Sequence, residues 1–228
     1  MTDNVFDNYF DSIFKYSNNF SEKEFKQHFK SYDLNYGAHL PADKNANILD
    51  AGSGAGHFLY FLEKKGYKNF FGIDISRQQV DFCKQNVSNR VDKADIFEFL
   101  SGKPGFYNAI IMNDLLEHVP KDNIIKLLSL VNNALMPGGK IIIKTPNMGN
   151  PFALALRYND FTHNIGFTEK SLRQVLWMSG FRKMDIFPAR ENGLAAPAIQ
   201  LVIRKLFWYQ GFTCPKILSS VIIGVAGK

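Results

Sequence analysis

Cysteine is scarce: Cys83 and Cys214 are the only two in 228 residues. They have no metal-ligand spacing and make no disulfide framework. A reducing compartment, the cytoplasm, is the simplest expectation. No apolar run reaches the roughly 20 residues that a membrane-spanning helix needs. The candidate anchor, Leu218–Ala226, is too short to span and reads as a strand instead. The opening Met1-Thr-Asp-Asn-Val-Phe-Asp7 is acidic and lacks the charge pattern of a signal peptide. There is no extended run of basic residues and no recognisable nucleic-acid motif, so no nucleic-acid partner is expected. Internal repeats and low-complexity segments are absent too.

What is present describes an ordinary globular core, with a hydrophobic share of 46%. The length suits one domain, 1–228, read as an N-terminal helical cap (1–40) on a core (41–228). The net charge is +6, and from Arg157 onward ten Lys/Arg face four Asp/Glu, so the whole excess lies in the last third. A basic third can be a solvated face, or it can attract an anionic acceptor, a nucleic acid or a membrane surface.

The informative stretch is Asn47-Ile-Leu-Asp-Ala-Gly-Ser-Gly-Ala-Gly-His-Phe58. It reads as a buried strand ending near Asp50, a tight glycine turn and a helix. Glycine has no Cβ, so the chain can turn sharply and a ligand can press against it. A second strand, Asn69–Asp74, ends in an acid 22 residues past Gly52, where a carboxylate can accept from ribose hydroxyls. The dinucleotide fingerprint is G-x-G-x-x-G. Here the third glycine comes one residue early, at Gly56, and Asp50 would repel a phosphate. A cationic ligand suits that acid better.

On Asp50, Gly52, Gly54 and Gly56 the chain resembles the class I S-adenosylmethionine-dependent methyltransferases. The resemblance implies S-adenosyl-L-methionine as cofactor, with Ser53 in the same loop and Asp74 on the ribose. It places Asp95 on the adenine amine, with Ile75 and Ile96 on either side of the base. Asn113, Asp114 and Leu115 would border the cofactor after the fourth strand, and Tyr36 its methionine end. The residues by themselves leave Asp95 open as a helix N-cap and Tyr36 as a packing residue. His57, just past the glycine turn, is expected to border the cofactor through its backbone. His28 and His39 read as surface or packing residues.

Strand–helix alternation continues along the chain: strands near 47–51, 69–74, 90–94, 107–113 and 140–145, with helices over 57–65, 77–87 and 121–135. Further helices are expected over 3–16, over 21–30 behind a Ser21/Glu24 capping box, over 169–179 behind Thr168, and partly over 195–210. Such alternation builds an α/β, doubly wound, Rossmann-like sheet with right-handed crossovers. Strands at 182–188 and 221–227 make seven. The resemblance implies that the last inserts antiparallel between the fifth and sixth.

Asn113-Asp-Leu-Leu-Glu-His-Val-Pro120 resembles the post-strand-4 motif of small-molecule O-methyltransferases, including the ubiquinone-biosynthesis type, with Asp114 in place of that type's first Glu. His118 can be a general base, or Asp114, Glu117 and His118 can hold a divalent ion, or Asp114 and Glu117 can form a capping box. No metal site is expected. Arg157–Thr168 follows the fifth strand, and Tyr158, Asp160 and His163 in it are candidate acceptor contacts or a second base, although turn chemistry alone also accounts for Asn159-Asp160 and Asn164. With Thr145-Pro-Asn147 and Pro151-Phe152 it resembles a bacterial subgroup associated with glycan pathways. The Asn/Asp-Pro-Pro-aromatic signature of many amino-N methyltransferases is missing at 113–116, which favours oxygen. The expected function is methylation of a hydroxyl on a small molecule, a sugar or glycan precursor or another metabolite, with an anionic or carbohydrate acceptor as the expected partner. An N- or RNA methyltransferase, a nicotinamide oxidoreductase (which the glycine spacing opposes) and a non-catalytic domain that keeps the cofactor fold are the alternatives.

Overall fold

The structure is a computed structural model that describes residues 6, 9–14, 20–190 and 196–228. Seven strands form one sheet: β1 (Ile48–Ala51), β2 (Phe70–Asp74), β3 (Val91–Lys93), β4 (Tyr107–Asn113), β5 (Leu135–Pro146), β6 (Lys183–Pro188) and β7 (Val221–Gly227). Their order is β3-β2-β1-β4-β5-β7-β6. β1 to β5 pair in parallel, whereas β7 runs antiparallel to both β5 and β6. The last strand therefore inserts where it was expected.

The helices are α1 (Glu22–Tyr36), α2 (His57–Lys64), α3 (Arg77–Asn86), α4 (Ile96–Leu100), α5 (Ile124–Ala134), α6 (Leu154–Tyr158), α7 (Glu169–Met178) and α8 (Ala196–Tyr209). They cover both sheet faces, so strand residues alternate between two cores. Leu49, Ile110 and Ile143 pack with α5 and α7, while Ile48, Ala109 and Ile142 pack with α1, α2 and α3. Side-chain caps fix the helix starts. Ser21 accepts from Glu24 N, Ser76 from Gln79 N, and Thr168 makes a reciprocal box with Ser171.

Three expectations are corrected in detail. α1 runs on to Tyr36 rather than Lys30, because Tyr32 and Tyr36 give it a second buried turn against Phe58 and Phe61. The 121–135 helix opens as a 3₁₀ turn, Lys121–Asn123. β5 starts at Leu135 and absorbs Pro137-Gly-Gly139 as an irregularity between the Tyr107↔Leu135 and Ala109↔Lys140 pairs. Of the helix expected over 3–16, Phe10–Phe14 is a π-helical turn and Phe6 and Tyr9 are helical. The remainder, and residue 195 of the expected 195–210 helix, lie outside the described residues.

Candidate active site

The site lies at the carboxyl ends of β1, β2 and β4, next to the order reversal between β1 and β4, where open α/β sheets bind ligands. β1 runs into the glycine turn. Gly52 and Ser53 donate their backbone N–H groups to the Ile73 carbonyl at 2.9 and 3.0 Å, which fastens the turn to β2. Gly52, Gly54 and Gly56 all have positive φ, at 74°, 52° and 91°. Two of the glycines also answer to packing. A Cβ at Gly56 would lie 2.5 Å from Cys83 Sγ, and one at Gly52 would lie 3.1 Å from Leu115 Cδ1.

Asp50 is 1% exposed. Neither of its carboxylate oxygens has a hydrogen-bond partner among the described residues. Burial, with Asp74 nearby, pushes its pKa up to about 8. Ser53 Oγ and Asn113 Nδ2 are buried without partners as well. Orphaned buried groups of this kind call for a ligand. S-adenosylmethionine fits this donor set, because an unpaired carboxylate wants a cation and the other two groups want polar neighbours. The Tyr36 hydroxyl donates to Asn113 Oδ1 at 2.6 Å, so α1 is tied to the end of β4.

Asp74 is buried too, but it already has partners. Its Oδ2 accepts from Gly54 N and its Oδ1 from Ser76 N, both at 2.8 Å. It thus holds the glycine turn to the start of α3. Asp74→Ala should lower cofactor affinity at least about tenfold, and it should also cost roughly 1–3 kcal/mol of stability by stranding buried N–H groups. A variant melting like wild type would remove the anchoring role. Asp95 caps α4, accepting from Phe97 N at 2.7 Å and Glu98 N at 3.3 Å. Ile75 and Ile96 are half-buried.

A second group gathers after β4 and β5. The capping box expected at Asp114 and Glu117 does not form. Asp114 takes a left-handed φ of 50° and pairs with Lys144 at 2.5 Å. Leu116–His118 is a 3₁₀ turn, and α5 begins only at Ile124. The turn swings Glu117 inward, where it is 2% exposed and accepts from Thr145 Oγ1 at 3.1 Å. Burial first, and Asp114 second, raise the Glu117 pKa. The Glu117 backbone carbonyl accepts from Asn164 N at 2.8 Å and Ile165 N at 3.2 Å, which brings the loop after β5 against the turn after β4.

That contact joins the two histidines, whose ring centroids lie 4.7 Å apart. The hydroxyl of Thr162 donates to Asp160 Oδ1 at 2.6 Å. Its single proton is then used, so toward His118 Nδ1, at 2.8 Å, the same oxygen must accept. Nδ1 therefore carries the imidazole proton and Nε2 the lone pair. Burial, followed by the neighbouring His163, lowers the His118 pKa to about 4 and keeps the ring neutral. His163 Nε2 stands 3.9 Å from Asp160 Oδ2, too far for a hydrogen bond. Glu117, His118 and His163 offer donor atoms within 4.8 Å of one another, a metal-type cluster.

Sequence reasoning missed Thr162, Lys144 and Tyr9, and it noted Thr145 only within a motif, without its bond to Glu117. Thr162 had a readable signal, since a residue two beyond an Asp closes an Asx turn, and its N–H does donate to Asp160 Oδ1 at 2.8 Å. Tyr9 had none. Its hydroxyl reaches Asp160 Oδ2, at 2.9 Å, from 151 residues away.

Residues 28–185 match the family described as a methyltransferase domain. Among curated relatives, a ubiquinone biosynthesis O-methyltransferase of Dechloromonas aromatica is 28% identical over 105 residues, covering 44% of each chain. A putative protein N5-glutamine methyltransferase of Methanocaldococcus jannaschii is 32% identical over 102 residues, covering 42% of this chain and 49% of that one. The chain thus spans less than half the length of these curated relatives. The crystal structure of a SAM-dependent methyltransferase from Archaeoglobus fulgidus superposes with a TM-score of 0.71 at 20% identity, covering 90% of this chain and 94% of that one. A phosphoethanolamine N-methyltransferase of Haemonchus contortus, in complex with S-adenosyl-L-methionine, gives 0.65 at 15% identity, covering 98% and 60%. The orphaned Asp50, the seven-stranded order and the family match agree: the chain belongs to the methyltransferase-domain family, of the class I type that takes S-adenosylmethionine as its cofactor.

Proposed function

We propose that the protein methylates a hydroxyl of a small molecule, a sugar, glycan precursor or other metabolite. The observation that carries this reading is the Thr162 hydroxyl, 2.8 Å from His118 Nδ1 and 2.6 Å from Asp160 Oδ1, an arrangement that assigns the imidazole proton to Nδ1 and leaves the Nε2 lone pair to accept a proton. The bound cofactor supplies an electrophilic methyl group on a sulfonium. Asp50 holds the cofactor's positive end. As the acceptor oxygen bonds to the methyl carbon, the methyl–sulfur bond would break to leave neutral S-adenosylhomocysteine; His118 Nε2 would take the hydroxyl proton, and the Thr162–Asp160 pair would steady the imidazolium that results. Alignment of the acceptor by the loop 157–168 supplies the rest.

Named relatives include O-, N- and C-methyltransferases, so the acceptor atom rests on the base and not on kinship. An amine bound as its free base needs no proton taken from it before attack, whereas a hydroxyl does. The test is turnover of a panel of sugars, phenols and amines, with products read by NMR for O–CH₃ or N–CH₃. Methylated amines as the sole products would refute the hydroxyl reading.

A further inference from the structure

The residues from Ala196 to Lys228 contain four Lys/Arg and no Asp or Glu. They begin with α8, a helix that is largely unburied. Its Ile203 packs inward, while Leu201, Val202, Leu206, Trp208 and Tyr209 are exposed, Trp208 by 82%. At about 100° per residue, Trp208, Leu201, Lys205, Tyr209, Val202 and Leu206 follow one another around roughly 160° of the helix. Nearly half the circumference is thus apolar or aromatic and faces outward, with a lysine in its midst. Phe212, just beyond, is exposed too.

A second exposed apolar group, Phe152, Leu154, Tyr158 and Phe161, lies on and beside α6, and Phe161 is 96% exposed. Both groups are fastened to one segment. Arg204 donates to the Lys216 carbonyl at 2.9 Å, and Asn150 donates to the Leu218 carbonyl at 3.1 Å. Lys205 and Lys216 are exposed among them. The α8 stripe by itself is an unusually apolar exposed face, the segment 216–218 ties the second group to it, and exposed apolar patches mark interaction sites.

We propose that this face binds the surface of an anionic lipid bilayer. Two features choose a membrane over a protein partner. The charge is of one sign throughout 196–228, complementary to anionic headgroups. Exposed Trp and Tyr beside aliphatic side chains and lysine also suit the headgroup–acyl boundary, where aromatic rings with a polar edge settle. No helix among the described residues is long and apolar enough to cross a membrane, so α8 would lie in the interface. Phe161 sits between Asp160 and Thr162 in the chain, so the docked face would reach the rim of the candidate site. The inference is independent of the hydroxyl reading, because vesicle binding needs no methyl acceptor.

The test is co-sedimentation of the full chain with phosphatidylcholine vesicles and with vesicles containing 30% phosphatidylglycerol, at low and high salt (about 0.05 and 0.5 M, bracketing the screening range). Trp177→Phe leaves Trp208 as the one tryptophan, so its emission reports insertion directly. The expected result is at least tenfold more binding to the anionic vesicles, weakened by salt, with a blue shift of Trp208. Trp208→Ser with Phe212→Ser should abolish it, and Lys205→Glu with Lys216→Glu should weaken it about tenfold or more. All four side chains are exposed, so the variants should melt like wild type. Absence of binding to anionic vesicles overturns the proposal. So does binding that survives both double variants. Self-association in sedimentation, lost in Trp208→Ser/Phe212→Ser and unaccompanied by vesicle binding, would assign the face to a second copy instead.

Discussion

His118→Ala should lower kcat by about 10²–10⁴-fold while affinity for S-adenosylmethionine holds. The loss should appear in single turnover with a hydroxyl acceptor, because the missing group acts only as the oxygen gives up its proton. Thr162→Val should cost less, since it frees Nδ1 and removes the preference for a lone pair on Nε2. The pH profile supplies a second readout. The active form of His118 is neutral, and its pKa lies at about 4. With S-adenosylmethionine saturating, so that Asp50 is already ionised, kcat/KM for the acceptor should therefore stay flat on the acid side to about pH 5 and fall below it. An ordinary histidine would already impose a decline near its usual value of about 6.5. Wild-type turnover in His118→Ala, His163→Ala and the double variant would exclude a histidine base. Alignment alone, or a carboxylate such as Asp160, would then carry the reaction.

Asp50→Ala should weaken S-adenosylmethionine binding by about 10²-fold or more, the scale of breaking a buried charge pair. Stability of the free protein should not suffer. The carboxylate is buried with both oxygens unpartnered, so its removal relieves a cost. The sign with pH follows from the raised pKa of about 8. Between the ordinary carboxylate range and pH 8 the folded chain holds a proton on Asp50 that the unfolded chain has lost. Wild-type stability from this group therefore falls as pH rises toward 8, and the variant's advantage should be largest at pH 8 and above. The same proton links to binding. At pH 7 the free Asp50 is mostly protonated, and a cation beside it favours the ionised form. Calorimetry in two buffers of different ionisation enthalpy should show net proton release on cofactor binding at pH 7, and less of it at pH 9. A proton count of zero at both pH values, or an Asp50→Ala protein that binds normally, would remove Asp50 from the cationic end of the site.

Much of the sheet was legible because its signals are local. Strand ends at Asp50, Asp74 and Asn113, caps at Ser76, Asp95 and Thr168, and glycines at 52, 54 and 56 each follow from a residue and its immediate neighbours. Strand-to-helix alternation then leaves few topologies, since parallel crossovers are right-handed. The place of β7 came from resemblance alone, because an antiparallel insertion leaves no mark in the strand's own residues. Local reading failed where one residue type suits two jobs. Asp114 and Glu117 stand three apart, as a capping box requires, yet Lys144 and Thr145 on β5 claim them instead.

The chain by itself determined the glycine turn and the two acids that flank it, since these residues are contiguous or nearly so, and with them the choice of cofactor. Only the tertiary structure decided what surrounds the candidate base. The His118 tautomer depends on Thr162, 44 residues on, and Thr162 depends on Asp160, which also accepts from Tyr9 across 151 residues. Which nitrogen holds a proton is set by hydrogen bonds to these partners. Their positions are fixed by β4 and β5 lying side by side and delivering both loops to the same edge of the sheet.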